Sequence, residues 1–251
     1  MEIPEQGSSC QLICRIGGVA ALASVLVVFV EILTTFLPGG SEQAVTAGDW
    51  LAQLQDRPFI GMRNLGLLNI FIFLLGIPLY LALFTVHLKR YMEIAGLALA
   101  LSFIATAVFL STNRAFSLME LSRQYASVST LTGRISIEAA AGAMLSVGRS
   151  HSPGTFTAFF LGEVSGILIS AVMLKGGIFS RINGIAGIAG FSLLLIYELM
   201  NILLPRPAGP GMIFAALGGI FNILWLTMAG LRLISVSRGS GVVAGRNLTV
   251  I

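Results

Sequence analysis

Apolar residues in this chain run in long unbroken blocks, separated by short stretches of polar and helix-breaking residues. Six blocks, at about residues 16–37, 59–86, 94–112, 156–174, 182–204 and 212–231, are each of a length that crosses the ~30 Å hydrocarbon core of a bilayer as a helix. In that solvent every backbone polar group must be satisfied within its own segment, so the pattern predicts spanning α-helices. Breakers fall between the blocks: Pro38-Gly39-Gly40 after the first and the PRPAGP run of 205–210 before the sixth. Pro78 lies inside the second block and predicts a kink there.

Two regions depart from this pattern. Residues 46–58 read as a short helix lying in the membrane interface, with Asp49 as N-cap and Trp50, Leu51 and Leu54 on one face. Residues 113–154 are amphipathic. There the helix of the third block is expected to continue past Asn113 with Phe116, Leu118 and Met119 on its apolar side and Glu120 and Arg123 paired at i,i+3. Residues 128–148 pair Arg134 with Glu138 at i,i+4 and hold only about ten uninterrupted apolar positions, too few to span. The whole of 113–154 is read as a helical cap over the outer face, and 237–251 as a disordered tail. The fold class expected is therefore all-α, a single polytopic membrane domain of six transmembrane helices with an outer cap.

Composition strengthens this reading. Of 251 residues, 56% are hydrophobic and 10% charged, against about 25% charged in a soluble domain. The net charge of +4 does not indicate nucleic acid, because the basic residues stand singly at block ends and form no stripe. The acidic N-terminus and the length of the first block do not fit a signal peptide, so an uncleaved first span is expected. Arg15, Lys89, Arg90, Lys175, Arg181, Arg232 and Arg238 lie close to the spans on one side, which predicts a multi-pass protein of the cell membrane with both termini cytoplasmic. The Asn247–Thr249 sequon then falls on the cytosolic face. Cys10 and Cys14, one turn apart with no partner pair, read as free thiols, with palmitoylation the next alternative.

Ionisable residues inside a bilayer are costly unless paired or solvated, so each one marks a candidate site. There are three, Glu31, Glu163 and Glu198. Because successive spans run in opposite directions, late residues of odd spans and early residues of even spans share one depth. Glu31, Asn64, Asn69, Asn113, Glu163, Glu198 and Asn201 therefore all belong to the half under the 113–154 cap, whichever way up the protein sits. A rise of 1.5 Å per residue puts Glu31 and Glu198 roughly 24 Å from the far ends of their spans. The functional reading is a polar chamber lined by Glu31, Asn69, Asn113, Arg114, Glu163, Glu198 and Asn201, with Arg63, Arg114 and His151 near its mouth as counter-charges. The structural reading is polar glue, in which the glutamates and asparagines lock helices together or reach the interface. Gly184, Gly187 and Gly190, and Ala215 with Gly219, suit close packing within the bundle, with homodimerisation the sharper alternative.

No metal cluster, cofactor motif or nucleophile motif is visible, and no cofactor is expected. The sequence stretches LGLLNIFIFLLGIPLYLAL, STNRAFSLMELSRQYA and PGTFTAFFLGEVSGILISAVMLKGGIFSRINGIAGIAG resemble a bacterial family of integral membrane proteins called domain of unknown function 4386. The resemblance covers about residues 12–236 and implies a six-helix membrane domain without assigning site residues. Three functions then compete: binding or sensing of a small or lipid-like ligand in the chamber, a small proton-coupled transporter using the glutamates, and an intramembrane enzyme. A transporter calls for polarity across the midplane and often an internal repeat, and neither is apparent.

Overall fold

The computed structural model describes residues 8–35, 37, 44–149, 151–204 and 210–239. Ten α-helices and no strand occur among them. Six are long and apolar enough to cross a membrane: α1 (Ser8–Thr35), α4 (Leu67–His87), α5 (Met92–Thr112), α8 (Phe156–Gly176), α9 (Arg181–Leu203) and α10 (Pro210–Ser237). The chain is an all-α, multi-pass membrane protein. Four shorter helices, α2 (Ala47–Asp56), α3 (Pro58–Asn64), α6 (Ala115–Ser127) and α7 (Leu131–Gly148), build a cap at one end of the bundle. The break at 38–40, the turn at 205–209 and the tail from 240 onward, with its sequon, lie outside the described residues.

The spanning helices form a ring. Each packs on the next in chain order, and α10 closes the circle against α1. Small residues set the spacing: a Cβ on Gly190 of α9 would lie 3.1 Å from the Asn222 nitrogen and 3.2 Å from the Gly218 oxygen of α10. The close approach that Gly184, Gly187 and Gly190 permit is to α8 and α10 of the same bundle. At the end remote from the cap the ring is filled. Leu79 and Leu83 of α4, Ile169 and Met173 of α8, and Trp225 and Leu233 of α10 meet in one buried apolar cluster. That cluster forms an apolar plug between the spanning helices.

The cap has a core of its own. Trp50, Leu51 and Leu54 are buried against Met62, Leu65, Ala115, Leu118 and Ala141. This corrects the expectation of an interfacial helix: the apolar face of α2 turns inward onto α3, α6 and α7 rather than toward lipid. Polar bonds fix the layers, with Ser122 Oγ donating to the Leu51 carbonyl at 2.7 Å and Gln55 Nε2 donating to the Ser122 carbonyl at 2.9 Å.

Several boundaries differ from the sequence reading for identifiable reasons. The N-cap of α2 is Thr46, and Asp49 completes a capping box from the third helical position. The second span starts at Leu67, not Phe59, because Gly66 takes a left-handed conformation (φ 89°) that ends α3 and turns the chain. The first span starts earlier, at Ser8. The third span does not continue into the cap: Asn113 is extended, and its Oδ1 accepts from the Ala115 amide at 3.0 Å to open α6 as a separate helix. Glu138 does not pair with Arg134. It accepts from the Tyr125 hydroxyl at 2.5 Å, while the Arg134 guanidinium lies over the Tyr125 ring. The Glu120–Arg123 pair forms at 3.6 Å between exposed side chains.

Candidate functional site

Between the plug and the cap the ring is not filled. A cavity of about 250 Å³ remains, and all six spanning helices contribute to its wall. Its floor includes Leu79, Tyr80, Trp225 and Leu226, which also belong to the plug. Several polar wall groups are already satisfied by their own helices. Ser24 Oγ donates to the Ala20 carbonyl at 3.0 Å, and Thr106 Oγ1 donates to the Ser102 carbonyl at 2.9 Å. The groups that carry chemistry are Glu163 of α8, Glu198 of α9 and His151, with Asn69 and Asn222 adding amides from α4 and α10.

His151 enters from the turn that joins the cap to α8. Its φ of 54° lies in the left-handed region, a conformation that costs a non-glycine residue about 1–2 kcal/mol. The turn holds it there. Ser152 Oγ donates to the Arg149 carbonyl at 2.5 Å, and the Ser152 amide donates to Thr155 Oγ1 at 3.1 Å. The imidazole stacks on Phe159 at 4.4 Å between centroids and meets the edge of Tyr197 at 5.5 Å. Phe159 in turn packs edge-on against Phe73 and Phe109, which stack on each other at 4.4 Å. On this aromatic platform His151 Nδ1 contacts Glu198 Oε1.

The charges form two pairs. Arg63 of α3 pairs with Glu31 of α1 at 2.8 Å and also donates to Thr35 Oγ1 and the Glu31 carbonyl. His151 contacts Glu198, and both line the cavity together with Glu163. Glu163 Oε2 is buried and has no hydrogen-bond partner, and the same holds for Trp225 Nε1. Among the described residues no Lys or Arg lines the cavity. Among the described residues no group of three or more His, Cys, Asp or Glu is placed to hold a metal ion.

Of the residues singled out in the sequence, Asn69, Glu163 and Glu198 come together on the cavity wall. Glu31 does not line it and is engaged by Arg63. Asn113 joins cap to bundle, its Nδ2 donating to the Leu65 carbonyl at 2.9 Å. Arg114 Nη1 donates to the Ser111 carbonyl at 2.6 Å and lies against Gly148. Asn201 is not on the wall, and its Nδ2 is buried without a partner. Of the three counter-charges considered, Arg63 meets Glu31, His151 meets Glu198, and Arg114 meets neither. The sequence reading missed Tyr80, Asn222 and Trp225; Asn222, an amide at the middle of an apolar block, carried a signal that could have found it. Gly219, read as a packing residue, faces the cavity, and a Cβ there would meet nothing within 4 Å.

No family model, curated protein or solved structure matches this chain.

Proposed function

We propose that this chain binds a small ligand in the chamber between plug and cap. The observation that carries the reading is the cavity of about 250 Å³ walled by all six helices, with Glu163 and Glu198 on its wall and an apolar plug beneath it. Ligand sites in helical bundles are built this way, from mostly apolar walls with a few converging polar groups. The blind far end favours binding or sensing over transport, since a carrier needs a polar route past the midplane. The same proposal places the protein in the cell membrane with both termini cytoplasmic, because the basic residues nearest the spans gather at the plug end. It also keeps the likeness of spans two to five to the 4386 family as a six-helix relationship.

Thermal unfolding of the purified protein in nanodiscs tests the reading. A panel of small amphiphilic molecules is compared on wild type, Gly219→Leu and Gly76→Leu. Both glycines line the cavity, and neither has a neighbour within 4 Å of an added Cβ, so leucine can be introduced at the chamber wall without its Cβ striking a helix. Stabilisation of the wild type that disappears in both variants supports the chamber. Stabilisation that survives in both, or none across the panel, refutes it.

A further inference from the structure

We propose that the chamber's ligand is a small organic cation, an ammonium group on an apolar body, with its nitrogen held between Glu163 and Glu198. The proposal rests on the chamber reading and adds the chemical class. The charge balance on the wall is the first ground. Two carboxylates face the cavity, and among the described residues His151 is the one basic side chain that lines it, with neither Lys nor Arg on the wall. His151 engages one oxygen of Glu198 and so compensates that carboxylate when the imidazole carries a proton. Glu163 is left without a cation, and a single positive charge on the ligand matches it.

The second ground is hydrogen bonding. Glu163 Oε2 is buried and no side chain or backbone group donates to it. Buried polar atoms are nearly always partnered, and one that is not calls for an explanation. An N–H donor from a bound molecule satisfies the atom directly, in the stronger charge-assisted form.

The third ground is the rest of the wall. Phe73, Phe159, Phe191 and Trp225 line the same cavity as the carboxylates, with Phe191 edge-on to Trp225 at 5.0 Å. Aromatic faces attract ammonium groups through the ring quadrupole and accept the apolar remainder by burial. A bare metal ion is a poor match, since the described residues offer no set of three ligating side chains and the cavity has molecular size. A carboxylate or phosphate ligand is worse, since it would be forced against Glu163 and Glu198 in a low-dielectric site.

Equilibrium binding to the full chain in nanodiscs, at neutral pH, with three probes of similar size tests this: 2-phenylethylamine, 2-phenylethanol and phenylacetate. Butylamine, butanol and butyrate form a smaller set. In at least one set the amine is expected to bind at least about tenfold more tightly than the alcohol, with no binding of the acid. Glu163→Gln should remove that advantage while leaving the alcohol's affinity within about twofold, and Gly219→Leu should abolish amine binding. Equal binding of amine and alcohol in wild type, lost in Gly219→Leu, would overturn the cation and leave the chamber standing. Absence of binding by every amine and alcohol overturns both. The wild-type ratio of amine to alcohol requires no variant, so it decides the matter even if Glu163→Gln does not fold.

Discussion

His151 and Glu198 lie 47 positions apart, one in the turn leaving the cap and the other in a spanning helix, yet they meet at the chamber wall. The contact ties the turn that leaves the cap to the bundle at the cavity wall. Glu198 is only 3% exposed, so His151 is what keeps its carboxylate from being buried alone. The unusual backbone of His151 and the stack on Phe159 both serve that placement.

Removing the imidazole should therefore cost stability beyond the loss of a ring. His151→Ala is expected to lower the unfolding free energy by about 1–3 kcal/mol, the penalty for a buried acceptor left without its donor. His151→Phe retains the aromatic stack and should be nearly as damaging. Adding Glu198→Leu to His151→Phe should recover part of the loss, because the stranded polar group is then gone. Thermal or denaturant unfolding of the variants in detergent reads all three. Full stability in His151→Ala would show that the pair is incidental.

A second fastening joins α3 to α1 through Arg63 and Glu31 at 2.8 Å, with the Arg63 side chain 9% and the Glu31 side chain 33% exposed. Breaking a buried pair from one side costs about 3–5 kcal/mol, and the partial solvation of Glu31 reduces the expectation to about 2 kcal/mol for Arg63→Met. Arg63→Met combined with Glu31→Gln should be less damaging than Arg63→Met alone. A double-mutant cycle measures the coupling, and strict additivity of the two substitutions would contradict the pair.

Much of this architecture is legible in the chain, and the reasons differ by element. Spanning helices are visible because the bilayer imposes one requirement, a long apolar run, and α1, α4, α5, α8, α9 and α10 all meet it. Depth is legible too, since span direction alternates. Depth is not direction, however. Glu31 and Glu198 share one level by span parity, but the helix rotation that turns Glu198 into the chamber and Glu31 toward Arg63 comes from packing around the ring. The cap was harder. Trp50, Leu51 and Leu54 show one apolar face, and a single face cannot say whether it meets lipid or three other helices. Gly66 hides in an apolar run, and only its left-handed φ separates α3 from α4.

The start of α2 carries a pH signature. The Thr46 amide donates to Asp49 Oδ2 at 2.8 Å and the Asp49 amide donates to Thr46 Oγ1 at 3.1 Å. The bond from the Thr46 backbone, followed by its hydroxyl, holds the Asp49 carboxyl below the usual carboxylate range. A carboxyl whose folded value is depressed stabilises the fold above its unfolded value and loses that effect as pH falls through the folded one. Asp49→Asn should therefore raise amide exchange in α2 at neutral pH, and the difference from wild type should fade as the carboxyl titrates in acid. Thr46→Ala should cost the helix about 1 kcal/mol. Hydrogen exchange of the α2 amides tests both, and a pH-independent difference for Asp49→Asn would contradict the capping box.

Two glycines that look alike in the sequence should respond in opposite ways. Gly190 and Gly219 both sit in small-residue patterns of spanning helices, and both read as packing positions. A Cβ on Gly190 would come within 3.1–3.2 Å of atoms of α10, backbone included, and backbone cannot be turned aside. Gly190→Leu must push α9 away from α10, and overpacking of this kind costs about 1–3 kcal/mol. A Cβ on Gly219 meets nothing within 4 Å and points into the cavity, so leucine there loses no contact. It also replaces a residue about 1 kcal/mol poorer in helix propensity than alanine. Gly219→Leu should leave stability unchanged or raise it, while removing the volume available to a ligand. Unfolding free energies of the two variants, measured side by side, separate a glycine that lets helices touch from one that keeps a chamber open. Equal destabilisation by both would mean that the ring is tightly packed at Gly219 and that no such space exists.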